Sequence, residues 1–335
     1  QGLRRENDAL RRAIEQPVLL ESKSPLMQRV LATAQHVAAS DATVLLTGES
    51  GTGKNVLAAA IHQWSTRRAG PFITIACTTL AEHLLESELF GHERGAFTGA
   101  WKDKPGRLEA AQGGTVFLDE VGELTPDLQA KLLRFIDEHR CERVGGSDTV
   151  TVDARIIAAT NRDLEAEVRA GRFREDLLHR LKVFPIRLPP LNERREDIPA
   201  LAEALLARHA AKLRKSVTGI EPAAMATLVA HNFRGNVREL ENLLERALIL
   251  CEPGGAITVD DLFDRGADAP VGGDTAAGTL EGAVIEFEKR FIEESLGHHG
   301  NNKAATARRL GLTYRGLLKK MQRYGMPTGG AEQGA

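Results

Sequence analysis

The sequence predicts an α/β protein with a mostly parallel sheet, followed by a helical subdomain and a small all-α unit. Three observations carry this expectation. Short β-branched runs alternate with helical patterns up to about residue 190, strands stop after Leu188-Pro189-Pro190-Leu191, and a stretch poor in bulky apolar residues (264–278) precedes a final basic helical segment.

Residues 1–16 read as a charged helix with Leu3, Asn7, Leu10 and Ile14 on a heptad seam. An Asn in such a seam can fix register in a parallel dimer, but two heptads are marginal alone, and a solvated linker helix fits equally well. Residues 17–190 supply the strands Thr43-Val44-Leu45-Leu46-Thr47, Phe72-Ile73-Thr74-Ile75, Thr115-Val116-Phe117-Leu118, Arg155-Ile156-Ile157-Ala158-Ala159-Thr160 and Val183-Phe184-Pro185-Ile186. Such continuous apolar runs suit strands covered on both faces. Helical periodicity then runs over Ile198 to Leu213, Pro222 to Ala230 and Val237 to Leu250 within a subdomain of residues 191–263. A flexible linker is expected over 264–278, and a three-helix unit over 279–326, whose first helix puts Leu280, Val284, Phe287, Phe291 and Leu296 on one face. The tail, 327–335, reads as disordered.

Composition narrows the class. With 335 residues, 42% hydrophobic and 27% charged, the chain can bury a sizeable core and has no apolar run long enough to span a membrane. The opening Gln1-Gly2-Leu3, with neither initiator Met nor apolar signal region, suggests a fragment rather than a secreted precursor. Cys77, Cys141 and Cys251 are distant and form no metal-type pair, so buried free thiols in a reducing cytoplasm are expected. The net charge of -2 hides a basic stretch from Asn301 to Met326 without a single acid, which suits an anionic partner.

Chemistry concentrates in three places. Gly48-Glu49-Ser50-Gly51-Thr52-Gly53-Lys54 follows an apolar strand and opens a helix at Val56-Leu57-Ala60-Ile61, with Asn55 and Val56 counted in the nucleotide site. Glycines let the loop wrap its amides around phosphates, the helix N-terminus adds positive potential, and Lys54 can reach the β- and γ-phosphates. Asn55 stands where many such loops place a hydroxyl on Mg²⁺, so metal coordination must lean on another group. Val116-Phe117-Leu118-Asp119-Glu120 supplies it: Asp119 for Mg²⁺, usually through water, and Glu120 to polarise the attacking water. Asn161 ends the next strand near the expected γ-phosphate. Arg174 and Arg180 lie six residues apart and are either surface charges or fingers for a neighbouring subunit's nucleotide; spacing leaves this open.

With these residues assembled, the chain resembles the AAA+ bacterial enhancer-binding proteins, the NtrC-like activators of sigma-54 RNA polymerase. The likeness runs from about residue 20 to 326, and its most specific element is Gly95-Ala96-Phe97-Thr98-Gly99-Ala100 within Glu88 to Ala100. The resemblance implies an AAA+ P-loop ATPase with a parallel-sheet core and helical lid. It also implies a loop that protrudes from a ring pore to contact sigma-54 through Phe97 and Thr98; two glycines bracketing an aromatic and a Thr independently suggest a mobile loop with a projecting apolar tip. It further implies Lys54, Asp119 and Glu120 in hydrolysis, Asn161 as first sensor, Arg174 and Arg180 as intersubunit fingers, and Arg238 as second sensor. Val18, Leu19 and Leu20 are implied to line the adenine pocket. The sequence departs from the family pattern at Ala76, where an Asn restrains the catalytic Glu, at Phe233-Arg234, where Trp-Pro is usual, and at Asn192, where Arg is common.

The last segment, Asn302 to Lys320, has small apolar residues on one helix, Gly311 in the turn and a basic second helix, the pattern of a helix-turn-helix. Thr313, Tyr314 and Arg315 fall where base edges are read, while Lys319, Lys320 and Arg323 suit phosphates. This part resembles the Fis-like domain of such activators. A basic hairpin for protein contact is the alternative, and dimerisation through the Leu280 to Leu296 helix would suit a palindromic site.

The resulting expectation is a cytoplasmic, ring-forming ATPase, dimer to hexamer, that uses ATP and Mg²⁺, binds double-stranded enhancer DNA, has no membrane contact and converts closed sigma-54 promoter complexes to open ones. An upstream receiver domain with its cognate sensor kinase is a further expectation. The alternative is a DNA-binding repressor that uses the AAA+ fold mainly for oligomerisation, for which Ala76 and Asn55 are the best support.

Overall fold

The computed structural model describes residues 21–78, 82–97, 99–263, 288–289, 291–292, 295–297, 302–310, 312–324 and 326. The chain divides into two compact units, Gln1–Ala269 and Pro270–Ala335.

The first unit is organised by five parallel strands: β1 (Val44–Thr47), β2 (Phe72–Ala76), β5 (Thr115–Asp119), β8 (Arg155–Thr160) and β9 (Phe184–Arg187), in the order β2-β5-β8-β1-β9. Their side chains alternate between two cores, as the twofold period of a strand requires. Leu45, Val116, Leu118, Ile156 and Ala158 enter one core, while Val44, Leu46, Phe117, Ile157 and Ala159 enter the other. The first core is closed by Leu128, Leu132 and Phe135 of α4 (Pro126–Glu138) and by Leu177 and Leu181 of α6 (Glu175–Leu181). The second is closed by Leu31, Ala34 and Val37 of α1 (Pro25–Ala38) and by Leu57, Ala58 and Ile61 of α2 (Lys54–Trp64). Full burial of a side chain such as Phe117 contributes about 2–3 kcal/mol.

Every residue of β8 is buried. Its first residue, Arg155, is only 2% exposed and donates to the Val37 and Ala38 carbonyls at 2.8 and 3.0 Å, so a buried guanidinium closes the C-terminal end of α1. Sequence expectation and structure differ at the edge strand, where Val183 is exposed and precedes β9.

Between β2 and β5 lie α3 (Glu82–Phe90) and a hairpin of β3 (Gly91–His92) with β4 (Lys104–Pro105). Between α4 and β8 lies a second hairpin, β6 (Arg140–Glu142) with β7 (Thr149–Thr151). The two hairpins meet: the Val144 amide donates to the Gly91 carbonyl at 2.9 Å, and the Glu93 amide donates to the Val144 carbonyl at 3.0 Å. After β8 come α5 (Leu164–Arg169), α6 and β9.

The lid consists of α7 (Ile198–Leu213), α8 (Pro222–Ala230), α9 (Asn236–Leu250) and α10 (Val259–Leu262), with a short parallel pair of β10 (Gly219–Ile220) and β11 (Ala256–Ile257). Leu191, Leu205, Leu228, Phe233, Leu240 and Leu244 form its core.

In the second unit, α11 (Lys303–Arg309) and α12 (Tyr314–Arg323) pack through Ala307, Leu317 and Met321 onto Ile292 and Leu296. Here the expected apolar face shifts by one position: Ile292 is buried, whereas Phe291 is 51% exposed. Ile292 and Leu296 are four residues apart and share a helical face, which Phe291 and Leu296 do not. Leu280, Val284 and Phe287 lie outside the described residues, as do the heptad positions of 1–16, the linker 264–278 and the tail from 327 onwards. Among the described residues, no helix is long and apolar enough to cross a membrane.

Candidate functional site

Three adjacent strands, β5, β8 and β1, end on the same edge of the sheet. Their C-terminal ends therefore bring Asp119, Glu120 and the loop from Ser50 to Gly53 around a cavity of about 230 Å³, with Asn161 beside Glu120.

Gly51 and Gly53 show why the loop needs glycine. Gly51 has φ +78°, and a Cβ there would sit 2.3 Å from the Gly235 carbonyl oxygen. Gly53 has φ +102° and opens α2 with no side-chain cap, and the first residues of this helix line the cavity, where uncapped amides favour an anion. A Cβ on Gly53 would meet no atom within 4 Å. Lys54 is 5% exposed and folds into the loop, donating from Nζ to the Gly48 and Glu49 carbonyls at 2.9 and 3.2 Å. The same ammonium lies 3.5 Å from Glu120 Oε1.

Glu120 has left-handed backbone angles, φ 56° and ψ 51°, a conformation that costs a residue with a Cβ about 1 kcal/mol or more. Its other oxygen, Oε2, accepts the Asn161 backbone N–H at 2.9 Å. Asn161 thus reaches the site through its main chain, with its side chain exposed. Asp119 accepts from Asn55 Nδ2 at 3.1 Å. Burial raises the Asp119 pKa above the ordinary aspartate value; the Asn55 hydrogen bond opposes this rise, the Glu120 charge adds to it and Lys54 opposes it. Ala76, the last residue of β2, pairs in register with Asp119, and its side chain offers no hydrogen-bonding group to either carboxylate. Cys77 next to it is a buried free thiol, with its pKa pushed up to about 12 by burial and then by the neighbouring carboxylates.

Of the lid's part in this site, sequence reasoning named Arg238 and missed the rest. The wholly buried Asn236 donates to Glu49 Oε2 and the Ser50 carbonyl, both at 3.0 Å, and accepts the Leu191 amide at 2.7 Å. The Val237 amide donates to the Gly51 carbonyl at 3.0 Å, and Arg238 donates to Ser50 Oγ at 2.8 Å. Arg194, 4% exposed, donates to the Thr52 carbonyl at 2.7 Å. Met27, Leu201, Leu205 and Val237 give the cavity its apolar wall. The four-residue step from Leu201 to Leu205 was the available signal, since it marks one face of a helix. Leu20, with Val18 and Leu19, lies outside the described residues.

Arg174 and Arg180 stand away from this cavity. Arg174 is paired with Asp176 and Arg180 with Asp137, and both side chains are about half exposed. The Arg174 amide is held at 2.8 Å by Oε1 of buried Gln129, whose Nε2 donates to the Leu124 and Arg172 carbonyls. The two departures in the lid meet each other: Asn192 accepts the Phe233 amide at 3.0 Å and donates to its carbonyl at 3.2 Å, holding the fully buried Phe233.

The segment from Gly95 to Ala100 is the turn of the β3–β4 hairpin. Gly95 N–H donates to the Ala100 carbonyl at 2.8 Å, and Ala96 packs on Gly145 of the second hairpin. The expected projecting Phe97 is corrected here: it is half-buried and edge-on to His92, with ring centroids 5.0 Å apart, because this contact removes an aromatic face from water. Thr98 lies outside the described residues, Gly99 is exposed and Ala100 is buried.

In the second unit, Asn302 caps α11 by accepting the Ala305 amide at 3.1 Å. Thr313 accepts the Gly316 amide at 3.1 Å and so begins α12 as its cap, with Tyr314 and Arg315 exposed beside it. Lys319 is exposed, whereas Lys320 pairs with Glu288 inside the unit, so its charge is already partnered. The side chain of Arg323 lies outside the described residues.

A P-loop on a parallel sheet, a helical lid bonded to that loop and a separate helix-turn-helix define an AAA+ ATPase-type protein with a DNA-binding unit. A model of the sigma-54 interaction domain matches residues 20–187, one of the AAA+ ATPase lid domain matches 192–277, and one of the bacterial regulatory protein Fis family matches 283–324. The chain belongs to the AAA+ sigma-54-dependent transcription regulators.

It is 49% identical over 310 residues to the transcriptional regulatory protein ZraR of Klebsiella oxytoca, covering 90% of this chain and 68% of that protein. It is 47% identical over 324 residues to the Nif-specific regulatory protein of Azotobacter vinelandii, covering 95% of this chain and 62% of that one. The crystal structure of NtrX from Brucella abortus in complex with ADP superposes with a TM-score of 0.72 at 36% identity, covering 97% of this chain and 73% of that one.

Proposed function

We propose that this chain binds enhancer DNA, assembles from dimers into a ring hexamer, and uses ATP hydrolysis to remodel sigma-54 RNA polymerase from closed to open promoter complex. Glu120 takes the proton of the attacking water as its oxygen bonds the γ-phosphorus; the bond from that phosphorus to the β–γ bridging oxygen breaks and ADP departs. Lys54 and the first amides of α2 hold the phosphates, Arg238 reports them to the lid, and Asn161 positions Glu120 through its main chain. Arg174 and Arg180 serve a neighbouring subunit's nucleotide.

Mg²⁺ fits this donor set, since Asp119 with Asn55 beside it offers the sparse oxygen ligands that Mg²⁺ accepts when phosphates and water complete its shell. Asp119 would hold the ion, which supplies charge neutralisation at the phosphates.

The observation that carries the coupling is the bonding of Val144 to Gly91 and Glu93. It joins the stem of the Gly95 to Ala100 turn to the hairpin that follows α4, and α4 begins six residues after Glu120. Movement at the hydrolysis site therefore has a packed route to the turn. Tyr314 and Arg315 are the proposed base readers, and Lys319 with Arg323 the phosphate contacts.

Open-complex formation with sigma-54 polymerase, ATP and Mg²⁺ tests this reading. Activity is expected in the parent and lost in Thr98→Ala. Undiminished activity in that variant contradicts the mechanism, and DNA binding without any open complex favours the repressor alternative.

A further inference from the structure

We infer that Trp101 is a contact residue for sigma-54, supplying the apolar surface that the motif's own aromatic withholds in this conformation; this rests on the sigma-54 reading above. Trp101 is 84% exposed, the largest value among the exposed bulky apolar side chains of the described residues. A lone exposed apolar residue is ordinary, and Trp101 is set apart by its position. The Gly95 to Ala100 hydrogen bond closes the turn, Ala100 is 6% exposed, and Phe97 is engaged with His92. The first side chain past that closure is Trp101, whose backbone amide donates to the Gly99 carbonyl at 3.0 Å and so keeps its main chain beside the turn.

Its surroundings have the anatomy of an interface anchor. Exposed Arg94, Lys102 and Asp103 form a polar rim, and Asp103 Oδ1 accepts the Arg94 amide at 2.8 Å, bracing the two arms of the loop. The stem below is pinned to Val144, so presenting the indole costs little further ordering. Sigma-54 is the assigned occupant because Trp101 continues, without a break in the chain, the turn that lies within the matched sigma-54 interaction domain. A second copy of this chain is the competing occupant.

The sequence has two Trp residues, and the other, Trp64, is half-buried on α2. In Trp64→Phe the emission of this chain therefore reports Trp101, and sigma-54 with its tryptophans replaced by Phe keeps the complex equally clean. Saturating sigma-54 with ADP and aluminium fluoride, a phosphoryl-transfer mimic, is expected to shift this emission to the blue and shield it from iodide. Trp101→Ala is expected to weaken sigma-54 affinity about tenfold or more, and Trp101→Phe by less than about threefold, with unchanged thermal midpoints.

Unchanged emission at saturation, or parent-like affinity in Trp101→Ala, overturns the inference while leaving the functional reading standing. A blue shift complete on self-assembly, before sigma-54 is added, overturns it in favour of a neighbouring subunit. Failure of the parent to bind sigma-54 sinks both. Should Trp64→Phe not fold, the emission difference between parent and Trp101→Phe gives the same readout.

Discussion

The Asn55 side-chain amide donates to the Asp119 carboxylate at 3.1 Å, tying the first turn of α2 to the end of β5. Burial pushes the Asp119 pKa up and this bond opposes the rise. A proton on Asp119 competes with a metal ion, so Mg²⁺-dependent nucleotide affinity should fall on acidification from above the ordinary aspartate range. Asn55→Ala removes an opposing influence and should move the onset to higher pH. Titrating a fluorescent nucleotide with and without Mg²⁺ across the acidic range reads this; an onset that stays put or moves down contradicts it.

Asn236→Ala should cost about 2–3 kcal/mol, since it strips a buried group of bonds to Glu49, Ser50 and Leu191. Denaturant unfolding checks the loss. Weaker nucleotide binding should accompany it, because the same bonds hold the P-loop.

For Arg180→Ala, little stability should change, within about 0.5 kcal/mol, because its pair with Asp137 is exposed. Turnover should nevertheless fall by about 10³-fold if the arginine serves a neighbour. Mixing Arg180→Ala subunits with Lys54→Ala subunits should restore part of the ATPase rate, as each supplies what the other lacks. Mixtures no more active than the sum of their parts exclude action across subunits.

Ala76→Asn should alter the ATPase rate and its response to sigma-54, because Ala76 pairs with Asp119 and gives Glu120 no side-chain restraint. Steady-state rates of parent and variant, with and without sigma-54, measure this. Indistinguishable rates and stimulation would mean that Ala76 sets neither.

Arg155→Ala should lower stability by about 3 kcal/mol by leaving a cavity, removing the donor to the Ala38 carbonyl and leaving the Val37 carbonyl to Ser40 alone. Arg155→Met should cost less, because it fills the space without burying a charge. Thermal and denaturant unfolding of the two variants order them.

The sheet was legible because β1, β2, β5 and β8 are apolar on both faces, and a strand covered twice announces itself in composition. Asp119 and Glu120 could be placed for the same reason, standing at the end of such a run. The hairpin strands Arg140–Glu142 and Thr149–Thr151 carry no such signal, being short, polar and held by backbone pairing. Nor could spacing reveal that Phe97 turns towards His92, that Asn236 reaches Glu49, or that Lys320 is taken by Glu288. Each is a contact between residues whose types allow many partners, decided only by packing.

The approach of Gly51 to Gly235 sets a rule for how this molecule can vary. Their main chains already touch, so no shortening of a side chain can loosen the contact, and adding even one methyl at Gly51 would place it 2.3 Å from the Gly235 oxygen. Substitution can therefore push the lid away from the P-loop but cannot draw it nearer. A graded series at this position, from Gly to Ala to Ser, acts as a one-way wedge, in which the strain of a side chain at φ +78° adds to that of its bulk.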